Sequence, residues 1–437
     1  MRTLTSTQFR DALAKGLGRA VEHVRSQPAR SVRGDLLYAC LHNLRYDYWF
    51  EEGRDDWLME LINLTGDAEF YRCRIVRALA KARKRKDVDQ LFVLAALFAG
   101  RGDAESRQAV YERFDRFEPQ LNWMRYKAVV LADGMRGLEH IVERVGEYAR
   151  LGHEVRDPAA AYEVARIRFG VRRVRAALRK WAARSQNARA YMELVLPKVQ
   201  SRRWSPLRKV PPTATLVRKI MGEPVDHRYI GVLHAHGTKE QIADFYRQIL
   251  REKYLDRVWR GLKFFSSWPP LPWLEPALFR WARSRRRRLR SVAINALASV
   301  QAPEVREFAL GALQDKRLSW RWNALRLLQW NFVRGDGRWL EPLLRSVRDR
   351  NTIHEITVAL RDIAKGKRYR DLRSCFIWGY EQTPCSFCRR CLVETLIERG
   401  CAPRWLLGEC LSDFNDDTRE FARKALHALG VEPTGHD

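Results

Sequence analysis

One pattern constrains this chain more than any other: a small residue followed by Leu recurs late in every second amphipathic segment of the C-terminal half. The pairs are Ala296-Leu297, Ala324-Leu325, Ala359-Leu360, Thr395-Leu396 and Ala425-Leu426, with successive Leu residues 28, 35, 36 and 30 positions apart. That interval is the length of two short helices and their turns. Small residues at these points let helices approach, while Leu and Phe fill the layer between neighbours. A helical pair of this size cannot bury its apolar face alone and has to stack on the next one. Val305–Leu313 (VREFALGAL) and Thr418–Leu426 (TREFARKAL) are nearly the same segment twice. Apolar spacing is helical almost throughout and strand-like alternation is rare. The expected fold is therefore all-α, an α-solenoid of helical pairs.

The run of an apolar residue, Arg, two variable residues, Ala and a later Ala-Leu resembles the HEAT and HEAT-like repeat superfamily over roughly residues 275–430. The repeats are short and uneven, nearer the HEAT-like fringe than a regular array. Over 30–165 the pairs are suggested by Asp35–Tyr46, Asp55–Leu64, Glu69–Ala82, Val88–Ala99 and Ala104–Phe117. The chain starts with a helix expected to cap near Ser6 or Thr7, with Phe9, Leu13, Leu17, Val21 and Val24 on one face. Proline-rich interruptions at Ser201–Asp226 and Ser266–Pro276 read as loops held by Trp204, Trp268 and Trp273. Three parts are expected: N-terminal helical repeats over 1–165, a basic helical middle over 166–275, and C-terminal HEAT-like repeats over 276–437.

Charge is the second constraint. The 437 residues carry 81 Lys and Arg against 52 Asp and Glu, a net charge of +29. Between Arg168 and Arg290 there are 30 basic and 8 acidic residues, so most of the excess lies in little more than a quarter of the chain. Same-sign crowding of this kind opposes folding unless a polyanion offsets it, and a nucleic-acid backbone is the commonest one. The densest clusters contain Arg172, Arg173 and Arg175; Arg202 and Arg203; and Arg283, Arg285, Arg286, Arg287 and Arg288. No apolar run is long enough to span a bilayer, and no hydrophobic anchor accompanies the basic stretch, so a membrane partner is not expected. Residues 1–30 lack the continuous apolar core of a secretory signal. Free thiols in the cytoplasm, and a monomer, are the resulting expectations.

Few segments carry chemistry. Tyr46–Trp57 (YDYWFEEGRDDW) gathers five carboxylates beside four other aromatic residues and Trp57. Aromatic faces stack exposed bases, and a carboxylate stabilises a cationic sugar or orients a water. Asp47, Glu51 and Asp56 are the catalytic candidates, with Trp49 and Trp57 as base-stacking candidates. The competing reading is a helix corner in which Asp55 or Asp56 caps a helix starting at Trp57. In PCSFCRRC, Cys385, Cys388 and Cys391 recur every three residues and Cys401 follows. Four thiolates suit a structural zinc, yet this spacing reads as one face of a helix continuing through Leu392, Leu396 and Ile397. Packing cysteines, with no metal or cofactor, are expected. His234 and His236 lack an evident third ligand nearby. Phosphate-binding glycine loops, serine-hydrolase elbows and zinc-protease helices do not occur.

Some HEAT-like proteins are DNA glycosylases, which lay a duplex along a basic concave surface and cut the bond between base and sugar. The chain is similar to that branch in its helical repeats, basicity and Trp content. The branch's Trp-Asp catalytic motif is not found, so the resemblance transfers no catalytic residue. Three function classes remain: a glycosylase excising alkylated or bulky hypermodified bases from duplex DNA, in repair or in defence against modified viral DNA; a non-catalytic nucleic-acid clamp; and a protein scaffold.

Overall fold

The computed structural model describes residues 3–431 except 48–50, 52, 117–122, 156, 201–209, 224–225, 267–269 and 367–369. Among the described residues the chain is all-α, with twenty-four α-helices, three short 3-10 helices and no strand. It divides into two units. The first comprises Met1–Arg203 and Trp405–Arg423, and the second is essentially Trp204–Arg404.

In the first unit, Ser6–Lys15 opens with a capping box in which Thr5 and Gln8 satisfy each other's backbone N–H groups. The single N-terminal helix expected from the sequence is two. It stops at Gly16, in the left-handed region at φ 72, and Arg19–Ser26 follows. All five residues of the expected face are nevertheless buried. The break is set by packing: the Phe414 N–H donates to the Gly16 carbonyl at 3.2 Å. A Cβ on Gly18 would lie 1.8 Å from the Glu409 carbonyl oxygen, so only glycine admits the segment Trp405–Arg423 this closely. Arg19 and Glu409 (2.8 Å) and Arg419 and Glu60 (3.3 Å) pair along the same seam.

The expected N-terminal pairs appear as Ala29–Leu41, Arg54–Leu64, Ala68–Lys81, Arg85–Ala99 and Ala104–Asp115. Trp123–Arg150 is a long helix broken at Asp133 and Gly134 (φ 60, ψ −128). It packs on Arg85–Ala99 and on Gln186–Gln200. A Cβ on Gly146 would lie 1.9 Å from the Asn187 carbonyl oxygen, so the two backbones nearly touch there.

In the second unit the landmark residues line the core: Leu297, Leu325, Leu360 and Leu396 are fully buried, as are Ala296, Ala324 and Ala359. They fall in Arg287–Leu297, Arg321–Leu328, Arg350–Gly366 and Ser386–Glu398. One of these, Arg321–Leu328, is a 3-10 helix. Just beyond it the buried Asn331 donates to the Leu327 and Val300 carbonyls and accepts from the Ala302 N–H. These bonds tie the end of one pair to the start of another. The stacked helical pairs are compatible with an α-helical repeat. The stretch expected as a loop over 201–226 contains a helix, Thr213–Met221. His227–His236 ends at Gly237.

Candidate nucleic-acid interface

Among the described residues of Tyr46–Trp57, Glu51, Arg54, Asp55 and Trp57 are buried. The helix begins at Arg54 behind Gly53, with Asp55 and Asp56 in its first turn. Neither aspartate caps it; their negative charge instead complements the helix N-terminus. Asp55 is buried in an ion pair with Arg45. Burial pushes its carboxyl up, against the opposing pull of Arg45. Glu51 is fully buried and pairs with Arg54 at 3.1 Å. The Arg54 guanidinium also donates to the Leu13 and Ala14 carbonyls at 2.9 and 3.3 Å. It lies 4.2 Å from the centroid of the Phe414 ring and 5.4 Å from that of Trp57. Trp57 is only 1% exposed, and its indole N–H donates to the Ser412 carbonyl at 3.2 Å.

Glu51 and Trp57 thus meet around one arginine in a brace between the first helices and Trp405–Arg423. Asp56 faces solvent and Asp47 is half-buried. Trp49 lies outside the described residues.

The basic residues behave oppositely. In the first unit, Val174, Leu178, Trp181 and Ala182 form the buried stripe of helix Val171–Ala182. Arg172, Arg173, Arg175, Arg179 and Lys180 consequently point to solvent. Arg175 donates to the Tyr162 hydroxyl at 3.2 Å, and Arg173 lies 5.7 Å from the Phe169 ring centroid. Arg202 and Arg203 lie outside the described residues.

In the second unit, Arg283 follows Pro276–Ala282, where the helix C-terminus favours a cation. Arg285, Arg286, Arg287 and Arg288 are exposed at the start of Arg287–Leu297, a helix N-terminus that disfavours cations. Arg286 reaches Asp256 at 3.3 Å. Among the described residues, Arg172, Arg173, Arg175, Arg283, Arg285, Arg287 and Arg288 make no ion pair with a carboxylate. Burial and the neighbouring Arg287 cation push Arg290 below the usual arginine range.

Aromatic rings stand beside these cations. Arg288 and Lys263 lie 5.5 and 5.4 Å from the Trp259 ring centroid. Arg283 is 4.5 Å from the Phe308 centroid, and Arg290 5.6 Å from that of Trp320. Phe308 and Trp320 are nearly parallel (25°) with centroids 6.4 Å apart, and Phe279 meets Phe308 edge-on at 5.5 Å. With Arg280 and Arg283 these rings line a groove of about 880 Å³, whose wall also carries Glu304, Glu307 and Asp315. Hydrogen bonds from Arg317 hold the Asp315 carboxyl below its ordinary value.

Sequence reasoning missed Trp259, Phe308 and Trp320 as partners of the belt. Each lies on a different segment from the arginines it meets, so only the helix packing reveals the pairing. His234 is a packing residue: its Nε2 lies 3.1 Å from the Phe264 carbonyl oxygen and its ring 4.4 Å from the Phe264 ring.

No family model matches the chain and no curated protein is similar to it. Among solved structures, a crystal structure described as an engineered protein aligns over 98% of this chain and all of its own, at 13% identity and a TM-score of 0.33. A likeness that shallow carries no argument about fold or function.

Proposed function

We propose that this protein is a HEAT-like helical-repeat protein of the cytoplasm that binds nucleic acid, duplex DNA foremost. The observation that supports this most is the set of exposed arginines, in two dense clusters, that pair with no carboxylate among the described residues. A phosphate backbone offsets such charge and releases its own counterions on binding. Surface arginines of a protein scaffold are ordinarily interleaved with carboxylates. The rings beside the cations suit a ligand that combines phosphate with base or sugar faces.

Base excision is a second reading, favoured by the groove, where exposed carboxylates stand beside partly open rings. A carboxylate there would stabilise oxocarbenium character at the sugar. Of the sequence candidates, Asp56 is solvent-facing, whereas Glu51 would first have to leave Arg54.

The test is a binding comparison of wild type with a variant carrying Arg285, Arg286, Arg287 and Arg288→Ala, using duplex DNA, single-stranded DNA and RNA of equal length. Circular dichroism controls for folding. Duplex affinity is expected to fall at least tenfold in the variant. Equal binding by both proteins, or none by either, contradicts the proposal. Incubation with alkylated and hypermodified duplexes, followed by an assay for abasic sites, separates excision from clamping.

A further inference from the structure

Three donors from two separated stretches of the second unit converge. His354 sits on Arg350–Gly366, and 31 residues later Cys385 precedes Ser386–Glu398 with Cys388 in that helix's first turn. One ligand atom from each lies within 4.8 Å of both others. The sequence reading placed Cys385, Cys388 and Cys391 on a single helix face. Cys385 instead stands at the N-cap, with an extended backbone (φ −94, ψ 116), and Cys388 is the third residue of the helix, so the first helical turn brings the two thiols together. That placement sets both sulfurs beside the histidine on the neighbouring helix.

We propose that His354, Cys385 and Cys388 bind a zinc ion that clamps the two helices. Zinc takes thiolate sulfur at about 2.3 Å and imidazole nitrogen at about 2.0–2.1 Å. Tetrahedral placement at those lengths sets the donors about 3.5–3.8 Å apart. A contraction of about 1 Å, within the reach of side-chain rotation, closes the site. Two thiolates and one imidazole leave the fourth position to water, and the soft sulfur pair selects zinc over magnesium or calcium.

Cys385 stands at the helix N-terminus, which favours a thiolate there. Hydrogen bonds onto its sulfur from Cys388 and His354 pull the Cys385 thiol down, while donating to Cys385 pushes the Cys388 thiol up, so zinc has one shared proton to displace. Cys385 and Cys388 are only 4% and 2% exposed. A dithiol that exchanges with other proteins needs an accessible sulfur, so burial favours a held ion over a redox centre. The inference is independent of nucleic-acid binding.

Full-length protein, tag removed and kept reduced, is expected to carry one zinc per chain by elemental analysis. A strong chelator should remove it and lower the melting temperature, and added zinc should restore it. Cobalt substitution should give visible bands with thiolate-to-metal charge transfer, a readout that needs no mutant. His354→Ala and Cys385→Ser should reduce bound zinc at least fivefold, while Cys73→Ser leaves it intact. If a variant fails to fold, the cobalt spectrum of the wild type still decides. Metal-free protein whose melting is unmoved by chelator and by zinc overturns the proposal. So does a cobalt complex lacking thiolate bands, or a Cys385–Cys388 disulfide in the reduced preparation.

Discussion

Arg54 does several jobs at once, and that makes it the most informative single residue. It neutralises Glu51, donates to two carbonyls of the first helix and lies against the Phe414 ring. Removing one partner of a buried pair leaves the other charge desolvated, at a cost of about 3–5 kcal/mol. Arg54→Ala should therefore destabilise by that order in denaturant melts. Glu51→Gln, which keeps shape and some hydrogen bonding, should cost less. If Glu51 were catalytic, the same isostere would slow excision about a hundredfold with stability nearly intact. Asp56 gives the sharper contrast, since it neither caps nor is buried. Asp56→Asn should leave stability within about 0.5 kcal/mol, so any loss of single-turnover excision would be chemical.

His234 makes a different prediction. Burial lowers its pKa from 6.5, so the folded state resists protonation more than the unfolded one. Stability should fall as pH drops below about 6.5 and the unfolded chain takes up the proton. His234→Gln should flatten the melting temperature over that window.

Among the elements, the clearest sequence signal was the one that packing could not disguise. The Leu of each small-Leu pair in the C-terminal half lies in the core, and the pairs are legible because their spacing is local and repeated. Leu360→Ala should cost about 2–5 kcal/mol, as expected for a fully buried Leu. The N-terminal break at Gly16 was hidden in a face that reads as continuous, because its cause is a segment almost four hundred positions away. The kink at Asp133 and Gly134 was equally unreadable. Gly146 tests the close approach it permits: Gly146→Ala forces a Cβ into the Asn187 carbonyl, in a helix where Ala is otherwise the better former. Destabilisation of about 1–3 kcal/mol is expected. A stabilised variant would show that the helices separate freely. The convergence of His354 with the cysteines belongs to the same class, since a spacing of three within one segment says nothing about a donor on another helix.

For the whole molecule, charge was legible and its setting was not. Counting residues located the basic stretch, and the folded chain exposes the described part of it: the Arg172–Arg175 cluster on the first unit and the Arg283–Arg288 cluster on the second. The aromatic partners and the carboxylate-bearing groove emerged only from packing. No helix among the described residues is long and apolar enough to cross a membrane. If these arginines meet phosphates, counterion release makes the contact countable. The deciding measurement is the affinity for a duplex of fixed length across a salt series. About 5–8 phosphate contacts give a log–log slope near −4 to −7, and the Arg285–Arg288→Ala variant should be shallower by about 2 to 4. A flat response in the wild type, or an identical slope in the variant, would mean that these arginines do not meet phosphates.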